Sequence, residues 1–470
     1  MHEALGDLAP KVIEALGAEE SVTAVRANPA KIDVDSLKTR FPEAGDMVPW
    51  CADAFYLERR PLFALDALFH AGAYYVQDPS AMFVGSVAGS LISSSEASLK
   101  VLDLCAAPGG KSTSLASALR GGDLLVSNEV IGTRATILAE NMVKWGSHNT
   151  IVTNNDPKDF EKFNGCFDII LADVPCSGEG MFRKDAGAIA EWSPENVKLC
   201  AARQRRILAD VWPALKEGGY LIYSTCTFNR QENDGNVEWI CRELGAEVVP
   251  PLPVPNAFCR IRKKTVGGLN HSSRQAEGET ANEVDCVADN GALETQYGLQ
   301  FGPGLTRGEG QYVAVLRKMS SARPASFRSS KPLRKAECDW LRDGFDCFSV
   351  ETSSGTLVKG YPQALVQDIR TIEERLRVLR SGVAVAAVKG RDLVPQADLA
   401  LSQAFCREAF ASIELTKEEA LQFLRCEVLH LPEAPKGFVS VTCEHLPLGF
   451  VKNLGSRANN LFPQAWRLRL

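Results

Sequence analysis

The chain has 470 residues, 45% of them hydrophobic and 23% charged, with a net charge of -6. That length forecasts roughly two to four globular domains with ample core, and no apolar run is long enough to span a membrane. None of the 14 cysteines forms a CxxC pair, which argues against zinc ribbons, thioredoxin-type redox motifs and a disulfide-stapled secreted scaffold.

The opening MHEALGDLAPKVIEALG carries acids and a helical apolar spacing, without the basic-then-apolar plan of a secretory signal. Free thiols in a reducing cytoplasm are therefore expected. Up to about residue 95, short helical patterns alternate with extended stretches such as SVTAVRANPAK and GAYYVQDPSAMF, an α+β region. From about 98 the pattern becomes strand, loop, helix in regular alternation. KVLDL leads into CAAPGGK and the helical STSLASALR; DLLVSNE is the next strand. A helix follows with Ile131, Ala135, Leu138, Met142 and Trp145 on one face. NTIVTN and FDIILA read as the third and fourth strands. Ser193 and Pro194 start a helix expected to run to Leu215 and stop at Gly218-Gly219, before the strand YLIYS. Such alternation predicts a doubly wound, mostly parallel α/β sheet with ligands at the carboxyl ends of its strands.

Between about 251 and 300 the chain turns polar and reads as a loop or insertion, after which RGEGQYVAVLRK supplies a last strand. SSARPASFRSS, from Ser320, has the composition of a linker. Two smaller α+β segments close the chain. The expected domains are 1–95, 96–319, 335–395 and 396–470. The stretches 257–275 and 316–335 are basic with no acid between, so local surface for a phosphate backbone exists despite the acidic total; a solvated face is the other reading of such runs.

Small residues in Cys105, Ala106, Ala107, Pro108, Gly109, Gly110 and Lys111 allow close backbone approach to a cofactor after the first strand. The spacing is neither GxGxxG nor a P-loop, so phosphate is not the obvious ligand. Strand two ends at Glu129, where an acid meets ribose hydroxyls; strand three runs into Asp156, suited to an adenine amino group; strand four ends at Asp173. Each alone could be an ordinary loop acid. Together they fit a cationic nucleoside such as S-adenosylmethionine. No metal site is expected.

DLCAAPGGKS, NE with Arg134 and Asn141 downstream, DVPCSGEGMFRKD and YSTCTFNRQEN, in this order, resemble the motif series of the Nop/Nol/Sun family of RNA cytosine-5 methyltransferases. The resemblance is dense from about 74 to 238 and resumes at RGEGQYVAVLRK. The closing LGFVKNLG…PQAWRLR resembles the PUA-like module of the RsmF branch, which acts on small-subunit ribosomal RNA. FGPGLT before RGEG, and residues 265–300, depart from the family pattern. The resemblance implies a Rossmann-like S-adenosylmethionine-dependent methyltransferase domain with N- and C-terminal additions. It implies Cys226 as nucleophile, Cys176 for product release and 16S ribosomal RNA as partner. Asp173 is suited to the cytosine ring, since an acid there can stabilise charge arising on attack. Lys111 is either an electrostatic contact to the base or a helix-start lysine in solvent. Cys105 is expected to pack, as are Cys51, Cys166, Cys200 and Cys241, because thiols are often small buried hydrophobes. A transfer-RNA substrate, or a non-catalytic RNA-binding assembly factor, are the alternatives. The expected location is the cytoplasm without membrane attachment; oligomeric state stays open, with a monomer the simplest expectation.

Overall fold

The computed structural model describes residues 1–17, 21–249, 259–261, 291–321 and 333–469, with Ala325 and Ser329 between the last two stretches. Almost all of the basic stretch 257–275, the acids from Glu277 and most of the linker after Ser320 lie outside the described residues.

Among the described residues the central sheet has eleven strands: β1 (Lys100–Asp103), β2 (Leu124–Asn128), β3 (Thr150–Thr153), β4 (Phe167–Asp173), β5 (Leu215–Thr225), β6 (Ala246–Val248), β7 (Cys259–Ile261), β8 (Gly291–Glu294), β9 (Leu299–Phe301), β10 (Gln311–Lys318) and β11 (Val378–Ser381). The order β5–β4–β1–β2–β3 is all parallel, and β10 lies antiparallel on β5. Its first half is nearly all apolar because both faces are covered. One face packs on helices Pro79–Ser93, Gly110–Ala118 and Gly132–Trp145. The other packs on Pro194–Val211, Asp234–Leu244 and Val366–Glu373. The order in which strands are added reverses between β1 and β4, so the crevice at their carboxyl ends is the expected ligand site.

Four expectations need correction. Ile131 does not join the buried face of its helix; it precedes the first turn and is 49% exposed, while Ala135, Leu138, Met142 and Trp145 are buried. The helix from Pro194 ends at Val211, and β5 already begins at Leu215, carrying Gly218-Gly219 inside the strand. The pairing with β4 shifts there: Phe167 meets Leu215 but Ile169 meets Tyr220. The glycines absorb that bulge, since a Cβ on Gly219 would stand 2.8 Å from the Asp168 carbonyl oxygen. Residues 291–301 are not loop; β8 and β9 extend the sheet beyond β10. FGPGLT packs there too, with Leu305 against Leu5, Ala9 and Val12 of the N-terminal helices.

The fourth concerns separability, which a linker after Ser320 suggested. The C-terminal half instead completes the catalytic sheet: β11 pairs antiparallel with β3, and Phe348, Tyr361, Ile369 and Ile372 belong to the core beneath it. Ala325 donates its amide to the Asn164 carbonyl at 2.8 Å. Residues 334–395 also form an antiparallel five-stranded sheet. The four-stranded sheet of 411–460 shares one apolar core with the four-stranded N-terminal sheet of 23–76, where Leu68 and Tyr74 join Phe423, Leu424 and Leu448. First and last domains thus meet. No helix among the described residues is long and apolar enough to cross a membrane.

Candidate active site

After β1 the loop Leu104–Gly109 is gripped from the helix Gly132–Trp145. Arg134 donates to the Ala107 carbonyl and Asn141 to the Pro108 carbonyl, each at 2.8 Å. Gly109 closes the loop at φ +118°, and a Cβ there would stand 3.3 Å from Leu138 and 3.5 Å from Asn141; only glycine accepts that conformation without strain. A Cβ on Gly110 would meet Tyr75 and Gln77, so its smallness serves packing against the N-terminal domain. A cavity of about 470 Å³ opens beside this loop, and Cys105, Ala107, Glu129, Arg134, Asp156, Asp173, Cys176 and Cys226 all line it. Ala106, Pro108, Gly109, Gly110 and Lys111 do not.

The three acids differ. Glu129 is 3% exposed, accepts the Ile131 amide at 2.9 Å and lies 3.5 Å from Arg134. Asp156 sits at the rim, accepting the Lys158 amide at 3.1 Å and lying 3.8 Å from Arg206. Asp173 accepts from Lys111 Nζ at 2.8 Å and from Ser224 Oγ at 3.0 Å. Lys111 therefore anchors Asp173 rather than standing in solvent, and the negative charge of that carboxylate keeps the Lys111 ammonium above its ordinary pKa despite burial. Behind them Asp103, fully buried, accepts from Ser112 Oγ at 2.6 Å, and burial pushes its carboxyl up to about 7.

Parallel register brings the thiols together. Asp173 stands opposite Ser224, so Cys176 and Cys226 leave neighbouring strand ends side by side, with Sγ atoms 3.2 Å apart. Gly180 brings the two backbones close together: its amide donates to the Cys226 carbonyl at 2.7 Å, and a Cβ there would fall 2.5 Å from that oxygen. Gly180 of SGEG is thus a packing requirement, whereas Gly178 has open space around it and serves its left-handed φ of +76°. The Cys176 thiol is raised above its ordinary pKa, first by its hydrogen bond to Cys226 and then by burial. Burial likewise raises the Cys105 thiol, beside Asp103 and Asp173, which suits packing and not nucleophilic attack.

Residues that sequence reasoning passed over hold this geometry. Glu232, fully buried, accepts the Ser177 amide at 3.0 Å, Ser177 Oγ at 2.5 Å, Asn229 Nδ2 at 2.6 Å and Gln204 Nε2 at 2.6 Å. It ties the loop of Cys176 to the loop of Cys226. Arg183 forks onto Glu309 at 2.8 and 3.0 Å, while the Glu309 backbone bonds Asp78 and Ser80. QDPS, FRK and RGEG therefore converge. Glu232 could have been noticed as the acid of RQEN, and Arg203 and Arg206, at the cavity rim, as a basic pair three residues apart on a helix.

A 3-2-1-4-5 parallel sheet with a small-residue loop and acids at its switch point defines the Rossmann-like S-adenosylmethionine-dependent methyltransferases. Comparison with known proteins narrows the class. Residues 91–258 match the family model for 16S rRNA methyltransferase RsmB/F, residues 1–79 that for the N-terminal domain of 16S rRNA methyltransferase RsmF, and residues 410–468 that for the methyltransferase RsmF PUA domain. Ribosomal RNA small subunit methyltransferase F of Klebsiella pneumoniae (strain 342) is 30% identical over 464 residues, covering 94% of this chain and 89% of that protein. Its namesake in Salmonella newport (strain SL254) is 31% identical with the same coverage. The chain belongs to the ribosomal RNA small subunit methyltransferase F family. Among solved structures, a methyltransferase homologue from Pyrococcus horikoshii superposes with a TM-score of 0.50 at 24% identity, over 67% of this chain and 92% of that one. NSun6 from the same organism, solved with SFG, gives 0.50 at 18% over 68% and 97%. These two support the fold.

Proposed function

We propose that the protein methylates carbon 5 of a cytidine in 16S ribosomal RNA through a covalent bond from Cys226 to carbon 6. The observation that carries this reading is the pair of thiols 3.2 Å apart in the cavity that also holds Glu129, Asp156 and Asp173. The residues fit S-adenosylmethionine: a buried carboxylate at Glu129 for ribose hydroxyls, a rim acid at Asp156 for the adenine, and small loop residues at the switch point. When bound there, that cofactor supplies an electrophilic methyl group.

Carbon 5 of cytosine is a weak nucleophile until carbon 6 is substituted. Attack by the Cys226 thiolate on carbon 6 moves the double-bond electrons toward the ring nitrogen and makes carbon 5 an enamine carbon. Asp173, fixed by Lys111 and Ser224, would face the ring: N3 takes a proton from water as attack creates charge there, the carboxylate accepts the N3–H bond, and that proton returns to water when the aromatic product forms. After methylation the carbon 5 proton leaves to water. The electron pair of that bond restores the double bond and expels Cys226 as thiolate. Cys176 keeps its proton, consistent with its raised pKa, and donates it in a hydrogen bond to the departing sulfur. The target base must be unstacked to enter such a cavity. The names of the relatives, and the PUA match, favour ribosomal over transfer RNA.

A denaturing gel of each variant with cofactor and unmodified 16S rRNA tests the assignment. Cys226→Ala should give neither methylation nor protein–RNA adduct; Cys176→Ala should attack, methylate and stall with RNA attached. The reverse pattern would exchange the two roles, and full activity in both variants would remove the thiols from the chemistry. Bisulfite mapping of ribosomal and transfer RNA from a deletion strain identifies the substrate; a lost mark in transfer RNA alone would refute the ribosomal reading.

A further inference from the structure

At the far end of the helix Gly132–Trp145 lies a second cavity, of about 200 Å³, where the N-terminal domain, the 335–395 segment and the PUA region meet. The helix spans about 20 Å at 1.5 Å per residue, so this cavity is well separated from the catalytic one. Lys31, Arg342 and Arg407 line it together with Ser402 and Gln403, and no acidic residue does. We infer that it is a phosphate site, holding one backbone phosphate of the RNA.

Charge and donor accounting support the inference. Lys31 Nζ donates to the Ala71 and Lys144 carbonyls, each at 2.6 Å, and so fills the carbonyl end of the helix. An ammonium has three protons, and the third is left for the cavity. The Arg342 guanidinium makes no hydrogen bond or ion pair among the described residues, and Arg407 donates only to the His445 carbonyl, at 3.2 Å. The acids nearby do not balance these cations. Asp398 is engaged by Arg380 at 3.1 Å and by the Ala384 amide at 3.0 Å. Glu408, close enough to both arginines to feel their charge, lies outside the cavity wall and is exposed. Desolvation, and then the charge of Arg407, push Lys31 down to about 7 against the opposing pull of Asp398, and a phosphate seated beside it would favour the charged form. Guanidinium forks from two domains, with a lysine of a third lining the same cavity, suit the tetrahedral oxygens of a phosphate. One seated phosphate would also hold three domains in register on a folded RNA, because phosphate contacts fix position without reading sequence.

The site rests on the RNA-substrate reading above. The test uses the full-length protein and unmodified 16S rRNA, comparing wild type with the double variant Arg342→Gln/Arg407→Gln. Both side chains are exposed at the cavity mouth, so the fold should survive; Lys31 is left alone because it carries two helix carbonyls. RNA affinity should fall about tenfold, and the slope of log affinity against log salt should flatten by about 0.7 to 0.9, the value of one phosphate contact. Affinity for S-adenosylmethionine should not change. Inorganic phosphate, titrated by thermal shift, separates the two sources of this chemistry. Tight phosphate binding lost in the variant, with RNA binding and salt slope unchanged, would make this a small-anion site and overturn the RNA assignment. No change in either titration would overturn the site altogether. Wild-type protein that neither binds nor methylates the RNA would sink the substrate reading, and this inference with it.

Discussion

Replacing Glu232 tests whether the buried carboxylate sets the thiol geometry. Glu232→Gln preserves volume but replaces one acceptor oxygen with an amide that can only donate. The Ser177 hydroxyl can turn to accept from the new amide, but the two amide partners cannot adapt. Gln204 Nε2 also donates to the Pro175 carbonyl at 3.0 Å, while its oxygen accepts from Tyr223 at 3.0 Å and Asn236 at 2.6 Å, so its amide is locked in one orientation. Asn229 is fixed from the other side, its oxygen accepting the Glu232 amide at 2.9 Å. Whichever oxygen is replaced, either Asn229 or Gln204 is left donating toward a donor, and the bonds that survive are made to a neutral amide oxygen instead of a carboxylate. Bonds to a charged acceptor contribute about 1.5–3 kcal/mol each, and relief of the carboxylate's burial, which raises its pKa, offsets part of that loss. The net cost should be on the order of 2–4 kcal/mol in chemical denaturation. The catalytic consequence is separable from it. Glu232 also holds Asn229, three residues after Cys226, and a nucleophilic thiol displaced by about 1 Å can lose about a hundredfold in rate. The rate of covalent adduct formation under conditions where the variant stays folded should drop ten- to a hundredfold, with S-adenosylmethionine affinity within twofold of wild type, because Glu232 does not line the cavity. A variant with wild-type adduct kinetics and a stability change below about 0.5 kcal/mol would refute the reasoning.

Two further outcomes are expected. Glu129→Ala should weaken S-adenosylmethionine binding roughly tenfold to a hundredfold in calorimetric titration, and Asp156→Ala by less, because Glu129 is 3% exposed whereas the Asp156 side chain is 46% exposed; equal affinity in both variants would remove them from the pocket. Burial raises Asp103 from 3.8 to about 7, so between those values the folded chain holds a proton that the unfolded chain has released. Stability should fall as pH rises through that window, by on the order of 4 kcal/mol, and level off above it. Asp103→Asn, which can still accept from Ser112, should flatten that dependence; identical pH profiles for the two proteins would contradict the assignment.

What was legible in the sequence follows from what local pattern can encode. Runs such as VLDL, LLVSN and DIILA are apolar because a parallel sheet is covered on both faces, so the alternation with helices, and the acids and cysteines at strand ends, could be read directly. Strand ends say nothing about distance, however. That Cys176 and Cys226 meet depends on Asp173 pairing with Ser224, and that register depends on the bulge at Gly218-Gly219, which from sequence looked like a helix stop. Glycine marks both features equally well. Ile131 misled for a related reason: its spacing fits the helix face, but it lies before the first turn and faces the cavity. The C-terminal half escaped for a third reason. β11 is four residues long and pairs antiparallel at the sheet edge, and no local period distinguishes an edge strand of this sheet from a strand of the neighbouring one. The polar linker before it implied independence, yet the residues beyond it supply part of the catalytic core. Outer domains tied this closely to the sheet cannot shift freely against the cavity, so on the function proposed above RNA held by them would reach Cys226 in an orientation fixed by packed side chains.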